Sequence, residues 1–155
     1  MNIFYRKLRS DDNISPIINL WKKELLKSQS DKENTIKYIN NSLRNDMKDI
    51  YNNYPLFELA FNNDTIIGFG GILYCNYHNR YLLSRLVVDS NYRRCRIGIT
   101  LCHILIANFK HQYPNIDKLY VSVDKNNIPS ISLLTKLGFL LQKEGKNIKY
   151  LTLSL

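Results

Sequence analysis

Arginines and a glycine lie close together in the segment from Arg93 to Leu101, which reads RRCRIGITL. The segment follows an apolar, strand-like run and opens an amphipathic helix predicted from Ile97 to Lys110. The first amides of a helix have no partner within the helix, and that end of the helix is positive. The arginines add mobile charge, and Gly98 lets an anionic ligand approach the backbone closely. The pattern therefore predicts a phosphate-binding turn.

A second informative stretch, Leu119 to Phe139, reads LYVSVDKNNIPSISLLTKLGF. It predicts a β-branched strand, a polar turn and a short helix. Asn127 is a suitable N-cap for that helix, with Pro129 in the first turn, where the absent amide costs nothing. Gly138 suits the left-handed position that ends a helix, and an apolar residue follows it.

Together the two stretches resemble the motifs of the GNAT N-acetyltransferase superfamily. The family's central motif is a strand, then Q/R-x-x-G-x-G/A, then a helix, and the residues that align with it here are Arg93, Arg94, Cys95, Arg96, Ile97 and Gly98. The later motif, V-x-x-x-N-x-x-[AS]-I-x-L-Y-x-K-x-G-F, is matched here by Val123, Asn127, Ser130, Ile131, Leu133, Lys136, Gly138 and Phe139. The remaining elements fall in the family's order, so the resemblance covers nearly the whole chain.

The resemblance implies one α/β domain over residues 1–155, with acetyl-CoA as the acyl donor and no metal. Its sheet is expected to be mixed and largely antiparallel, with six or seven strands and helices on both faces. The strands from Tyr81 to Val88 and from Leu119 to Val123 would run parallel, because a helix follows each of them. The family's strands splay apart at this point and admit the pantetheine arm. The cofactor contacts implied in addition to the phosphate turn are Leu86, Val87, Val88, Asn127 and Ser130.

Two positions depart from the family pattern. Arg96 occupies the place of the first glycine of the phosphate turn, so its backbone is expected to wrap a pyrophosphate less easily. Leu134 occupies the place of the tyrosine that often protonates the departing CoA thiolate. Leucine cannot donate a proton, so the usual general acid is missing.

The general base is open at the level of sequence. Many relatives carry a carboxylate two residues before the Leu86–Val88 segment, where this chain has Ser84. Serine is too weak to act as a base alone, but it can position a water that relays a proton. Glu58, in another strand, is the nearest carboxylate candidate, and an exposed strand position is its alternative interpretation. Tyr77, with Tyr74 and His78, is a third candidate for the acceptor pocket.

Periodicity predicts the remaining elements. The first strand is expected from Ile3 to Leu8, and the first helix follows Asp11–Asn13 and carries Ile17, Leu20, Trp21 and Leu25. The second helix is predicted from Thr35 to Tyr51, with Ile36, Ile39, Leu43, Met47 and Ile50 on one face. Two strands, Leu56 to Phe61 and Thr65 to Leu73, flank a polar turn. The resemblance makes the two helices the acceptor wall, which offers Trp21, Tyr38, Tyr51 and Tyr54.

Composition agrees with a folded domain and gives hints about partners. The chain has 155 residues, of which 45% are hydrophobic and 12% aromatic, and this excludes a disordered class. The odd number of cysteines favours reduced thiols in the cytoplasm and no metal site. No apolar run is long enough to suggest a membrane partner. The net charge of +9 favours an acidic partner, which could be an acyl carrier protein, RNA or an acidic protein, although no recognisable nucleic-acid motif supports RNA. A cationic amine acceptor would need an acidic pocket, for which Asp46, Asp49 and Glu58 are candidates. A monomer or a homodimer is expected.

Two alternatives to acetyl transfer stay open. The strand segment Ser84-Arg85-Leu86 is similar to one in acyl-homoserine-lactone and N-acyl amino acid synthases, which share this fold and use acyl carrier protein. A non-catalytic CoA-binding module is the other, because Leu134 replaces the usual acid. The acceptor is not identified by the sequence in either case.

Overall fold

The computed structural model describes residues 1–28, 32–38, 50 and 54–155, and seven strands among them form one sheet. The strands are β1 (Ile3–Lys7), β2 (Leu56–Asn62), β3 (Thr65–Cys75), β4 (Arg80–Val88), β5 (Lys118–Asp124), β6 (Leu140–Glu144) and β7 (Ile148–Ser154). Their order across the sheet is β1-β2-β3-β4-β5-β7-β6. Only β4 and β5 run parallel among these neighbouring pairs. The prediction of a mixed, largely antiparallel sheet is confirmed.

Helices cover both faces of the sheet, as predicted. They are α1 (Ser15–Ser28), α2 (Lys32–Tyr38), α3 (Ile97–Gln112) and α4 (Ile128–Lys136). The face that packs against α1 carries Leu59, Phe61 and Phe69, and we call it the α1 face. The opposite face carries Leu56, Ile72 and Leu83 under α3 and α4, and we call it the α3 face. Side chains alternate between these faces along each strand, so a residue's place in its strand fixes which core it joins.

The predicted element boundaries differ from the observed ones by a few residues, which is the usual uncertainty at element ends. The second predicted helix, from Thr35 to Tyr51, begins earlier, at Lys32, and is described only to Tyr38 and again at Ile50, which is fully buried. Three of its predicted apolar residues (Ile39, Leu43 and Met47) and the wall residue Tyr51 lie outside the described residues. Within the described part of the chain, none of the helices has the length and apolar composition to span a bilayer.

The two parallel strands touch at one point and then part. Leu82 of β4 and Tyr120 of β5 are the one register pair between these strands. Both strands continue beyond it, β4 to Val88 and β5 to Asp124. This confirms the predicted splay, and it leaves the edge of β4 beyond Leu82 without a ladder to β5. Backbone amides along such an edge can pair with an extended ligand.

Candidate active site

The turn between β4 and α3 has an unusual backbone. A short 3₁₀ turn, Ser90–Tyr92, leads into it, and two of its arginines adopt left-handed conformations, with φ of 68° at Arg94 and 59° at Arg96. Non-glycine residues rarely adopt this region, and each costs about 1–2 kcal/mol. The side chains of Arg93, Arg94 and Arg96 are exposed. The turn thus combines mobile guanidinium groups with the amide end of a helix.

Arg96 holds the left-handed position that the family pattern gives to glycine. It is the N-cap residue of α3, with φ 59° and ψ 21°, and its side chain makes no capping hydrogen bond. The turn therefore adopts a left-handed backbone at this position without a glycine, and the expectation that Arg96 makes it wrap a pyrophosphate less easily stays a prediction. The amides of the first turn of α3 are left without intrahelical partners. Amides at the start of a helix and guanidinium groups are donors that suit a phosphate, and phosphate binding by this turn stays a prediction.

Gly98 is needed for close packing. A Cβ atom at Gly98 would lie 3.2 Å from Cδ1 of Leu133 in α4 and 3.6 Å from Cγ2 of Val88 in β4. The missing side chain therefore lets α3 begin directly against the end of β4 and the middle of α4. The two predicted motifs come together at this contact, although 35 residues separate Gly98 from Leu133 in the sequence.

The second motif forms the predicted local structure. The Oδ1 atom of Asn127 accepts a hydrogen bond from the amide of Ser130 at 3.3 Å and so caps α4. Gly138 has φ 97°, and the amide of Phe139 reaches back to the carbonyl of Leu134 at 3.1 Å. The N-cap and the left-handed C-cap are both confirmed. Contact of Asn127 and Ser130 with a cofactor stays a prediction.

A β-bulge lies in β4 beside the opening between β4 and β5. Val87 pairs with Phe69 and Ser84 pairs with Gly71, so Arg85 and Leu86 together face Gly70 of β3. Arg85 at the bulge has φ 60°. The bulge turns Ser84 and Arg85 toward the α1 face, while Leu86 packs on the α3 face, where its Cδ1 would be 3.2 Å from a Cβ at Gly70.

The three candidates for proton transfer lie in different places. Ser84 is half-buried on the α1 face, opposite Gly71. Glu58 lies on the α3 face, between Leu56 and Ala60 in β2, and is 5% exposed. Its alternative interpretation as an exposed strand residue is therefore wrong. Burial raises the pKa of Glu58, and the charge of Lys7 on the neighbouring strand opposes this only in part.

Tyr77 lies far from the other two candidates along the strand. It is 90% exposed in the turn between β3 and β4, where its ring packs edge-on against His78. Arg80 lies beside this turn, and the six residue steps of extended strand from Arg80 to Leu86 separate the turn from the β4–β5 opening by about 20 Å. In the same turn Tyr74 donates a hydrogen bond to Asn79. The structure thus brings neither Ser84 nor the phosphate turn close to Tyr77.

Leu134 is 4% exposed in the core on the α3 face. Its cluster includes Leu83 of β4 and both Val121 and Val123 of β5. It therefore lies beneath the two strands that part. No proton donor can come from this position in the native chain.

The α1 helix is joined to the start of the phosphate turn by charged side chains. Nζ of Lys23 lies 2.9 Å from Oδ2 of Asp89, and Nζ of Lys27 donates to Oγ of Ser90 at 2.6 Å. Oε1 of Glu24 accepts the amide of Ser90 at 2.8 Å, while its Oε2 is buried without a hydrogen-bond partner among the described residues. Burial opposes ionisation of Asp89, but hydrogen bonds from the Asn91 amide and Lys23 lower its pKa. The α1 helix and the turn before α3 are thus one connected unit.

Arg85 makes two side-chain contacts on the α1 face that were not predicted from the sequence. Its Nε donates to the hydroxyl of Tyr54 at 3.0 Å, and its guanidinium lies over the ring of Trp21, 4.7 Å from the centroid. Both rings were named only as parts of an aromatic wall. The contact joins residues 31 positions apart, and no local pattern in the sequence indicates it.

The predicted acidic pocket and the three cysteines are the remaining groups. Asp46 and Asp49 of the predicted acidic pocket lie outside the described residues, and Glu58 is buried on the α3 face. Cys75, Cys95 and Cys102 are free thiols, and burial raises the pKa of Cys102 to about 12. Among the described residues, no three His, Cys, Asp or Glu side chains come together as metal ligands.

Comparisons with known proteins agree with this geometry. The model of the acetyltransferase (GNAT) family matches residues 15–139. PaiA N-acetyltransferase from Thermoplasma acidophilum, in complex with coenzyme A, is 22% identical over 100% of both chains, with a TM-score of 0.79. A GNAT-family acetyltransferase from Staphylococcus aureus is 22% identical over 99% of both chains, with a TM-score of 0.76. One from Elizabethkingia anophelis with acetyl-CoA bound is 17% identical over 99% of both chains, with a TM-score of 0.67.

Among curated proteins, none matches the chain by sequence. At these identities the structural likeness shows a shared fold. The family model extends over most of the chain. The chain therefore belongs to the acetyltransferase (GNAT) family.

Proposed function

We propose that the protein is an acetyl-CoA-dependent N-acetyltransferase that acts on a primary amine of a small molecule or peptide. The observation that carries the proposal is the parting of β4 and β5 next to the arginine-rich start of α3. A polar, extended arm with a diphosphate at one end fits this combination. The diphosphate matches the turn, and the arm matches the unpaired edge of β4.

In this proposal each part of the donor has its own binding residues. The diphosphate is bound by the side chains of Arg93, Arg94 and Arg96 and by amides from Arg96 to Gly98, while the Cys95 amide donates to the carbonyl of Tyr92 within the turn. The pantetheine amides pair with the backbone from Leu86 to Val88. Asn127 and Ser130, at the N-terminus of α4, are the remaining donor contacts. The three guanidinium groups are exposed and free to approach a ligand, which supports this assignment.

The reaction forms one C–N bond and breaks one C–S bond. The amine nitrogen attacks the thioester carbonyl, whose developing negative charge is stabilised by an amide in the Leu86–Val88 segment. Collapse of the adduct expels the CoA thiolate, and the nitrogen loses a proton. Because Leu134 has no proton to give, the thiolate takes its proton from the ammonium nitrogen of the adduct or from solvent. A thiol is a good leaving group, so this route proceeds without a dedicated acid, although an acid at this step would accelerate it.

Ser84 is the best placed of the three candidates for removing the proton from the amine. It lies on the α1 face with the acceptor wall, whereas Glu58 is enclosed on the opposite face. Ser84 would act by positioning a water molecule that carries the proton away. Glu58 and Tyr77 are secondary candidates, and the acceptor identity will decide between them.

Binding and turnover test the proposal separately. A ligand that binds only the folded state stabilises it by RT ln(1 + [L]/Kd), about 2.7 kcal/mol at a hundredfold excess over Kd. We therefore expect CoA to raise the melting temperature. Release of free CoA from acetyl-CoA, screened over amino acids, polyamines, aminoglycosides and peptides, should then reveal the acceptor. Absence of both a thermal shift and calorimetric binding at millimolar CoA would contradict the proposal.

Compartment and partners follow from charge and cysteine chemistry. The three unpaired thiols suit a reducing compartment, which supports the cytoplasm. The net charge of +9 supports an acidic acceptor or partner.

A CoA-binding module without activity would show the thermal shift but no CoA release with any amine.

A further inference from the structure

The bulge in β4 contains a backbone conformation that has to be held in place. Arg85 has φ 60°, and Arg85 and Leu86 together face the single residue Gly70. A non-glycine residue keeps a left-handed conformation in a strand only when its surroundings enforce it. The side-chain contacts of Arg85 are therefore informative about what the bulge needs.

Two buried rings hold the Arg85 side chain. Its Nε donates to the Tyr54 hydroxyl at 3.0 Å, and its guanidinium carbon lies 4.7 Å from the centroid of the Trp21 ring. Trp21 is 5% exposed and Tyr54 is 6% exposed, so neither ring is free to move away. A planar guanidinium suits this place, because it can donate in its plane while it stacks on an aromatic face.

These two rings are the ends of a chain of four aromatic side chains on the α1 face. Trp21 packs edge-on against Phe69 at 6.2 Å, Phe69 stacks on Phe57 at 5.6 Å, and Phe57 packs edge-on against Tyr54 at 5.4 Å. Arg85 connects the first ring to the last and closes the cluster.

A glycine on the neighbouring strand makes the cluster possible. A Cβ at Gly71 would lie 2.7 Å from atoms of both Phe57 and Tyr54, so any side chain there would displace these rings. Gly71 pairs with Ser84, the residue just before Arg85. The strand opposite the bulge is thus shaped to bring the aromatic cluster within reach of Arg85.

The bulge lies where β4 has left β5. Arg85 is three residues beyond Leu82, the last residue of β4 that pairs with β5. We propose that Arg85 is a positioning residue. Its side chain, held between Trp21 and Tyr54, fixes the bulge that presents the Leu86–Val88 backbone to the pantetheine arm of the acyl donor. The inference rests on the proposed function, since it assumes that a CoA thioester binds at this edge.

Two ligands separate this role from a general contribution to stability. Acetyl-CoA occupies both the phosphate turn and the edge of β4, whereas its nucleotide portion, 3′-phosphoadenosine 5′-diphosphate, lacks the arm. Calorimetric titration of the full chain with each ligand gives two dissociation constants. In Arg85→Ala we expect acetyl-CoA binding to weaken at least about tenfold, the equivalent of a lost charged hydrogen bond. Binding of the nucleotide portion should change less than about twofold, because the phosphate turn is untouched.

Further variants test how the Arg85 side chain fixes the bulge. Arg85→Gly keeps access to the left-handed backbone and loses the side chain, so it should bind acetyl-CoA more tightly than Arg85→Ala does. Arg85→Lys keeps the charge over Trp21 without a planar donor and should recover only part of the affinity. Tyr54→Phe removes one hydroxyl and keeps the ring, so it decides the question if Arg85→Ala does not fold.

The outcomes distinguish the two proposals. If the unaltered protein binds neither ligand, the proposed function fails. If it binds both, and the Arg85→Ala and Tyr54→Phe variants retain its affinity for acetyl-CoA, the function stands and the positioning role is overturned. Equal weakening for both ligands would also overturn the positioning role, because it would show only a structural contribution.

Discussion

The proposed cofactor side, at the start of α3, and the proposed acceptor side, along α1, meet at Asp89 and Ser90 but are built in different ways. On the cofactor side, short continuous segments supply backbone groups: the start of α3 after Arg96, and the cap that Asn127 gives to α4. On the acceptor side, side chains from distant segments meet, as in the contact between Lys23 and Asp89, which are 66 residues apart. Backbone sites depend on local conformation, whereas side-chain sites depend on the whole fold. The acceptor side is therefore the one free to vary with substrate.

The largest effect is expected from Trp21→Ala on the acceptor side. Trp21 is 5% exposed and lies against Phe69, so its removal leaves a cavity in the α1 face. Truncation of a buried aromatic costs about 3–5 kcal/mol, measurable by urea unfolding. Tyr77→Ala is the control, because a side chain that is 90% exposed should change stability by less than about 0.5 kcal/mol. If Trp21→Ala lowered the free energy of unfolding as little as the control does, Trp21 would not be part of the core on the α1 face.

The position between the two sides is tested by Leu134→Tyr, with Leu134→Phe as a control of similar size. Leu134 lies in one cluster with Leu83 and Val121, beneath the parting strands. A phenol there would supply the missing acid. General acid catalysis typically contributes 10²–10⁴-fold, and we expect a kcat at least about a hundredfold above that of the phenylalanine variant. The measurement is CoA release with the best amine of the screen.

The expectation for these two variants would be contradicted if their kcat values were equal. Equal kcat values, in folded proteins with equal KM for acetyl-CoA, would show that thiolate protonation does not limit the rate. Another group, with Ser84 the first to test, would then hold the role.

The cofactor side is tested by Gly98→Val. A Cβ at this position already lies 3.2 Å from Leu133, so a branched side chain must push α3 away from α4 and displace the amides of the turn. Overpacking of this kind costs about 1–3 kcal/mol, which corresponds to roughly tenfold to hundredfold weaker CoA binding. Gly98→Ala should be much milder, since a single methyl group needs only a small shift of the flexible end of Leu133. Cys95→Ala, in the same turn, should bind CoA within about twofold of the unaltered protein. Equal affinities for the valine and Cys95 variants would contradict the assigned register.

The sequence predicted best what depends on local backbone rules. The cap at Asn127 and the left-handed Gly138 were both identified, because capping and glycine preferences act over a few residues. The parting of β4 and β5 was predicted only through the family resemblance. Side-chain patterns alone do not reveal where a ladder ends.

The unpredicted features depend on contacts between distant residues or on costly backbone conformations. Arg85, Arg94 and Arg96 are left-handed, which residue preferences argue against. Glu58 is buried because helices cover both faces of β2, and a carboxylate in a strand is normally read as exposed. The contact between Arg85 and Tyr54 needed the assembled sheet.

The smallest effect, and the one that decides what Glu58 is for, is the pH dependence of Glu58→Gln. The two side chains are nearly equal in size, so the substitution mainly removes a charge. Burial raises the pKa of Glu58 in the folded state, so this state binds more protons than the unfolded chain once the pH exceeds the ordinary value of 4.5. Stability must then fall as the pH rises through the interval between the ordinary and the raised pKa, because folding has to bury a carboxyl group that is ionised in the unfolded chain. The glutamine variant avoids that cost. We therefore expect it to be more stable than the unaltered protein at pH 8 and to have no such advantage at pH 4, as measured by urea unfolding at both values. If Glu58 were instead the general base, the variant would lose most of its CoA release at every pH, whereas a structural carboxyl on the α3 face predicts nearly unchanged turnover. A stability advantage that is equal at both pH values would show that the pKa of Glu58 does not differ between the folded and unfolded states, and would contradict a pKa raised by burial.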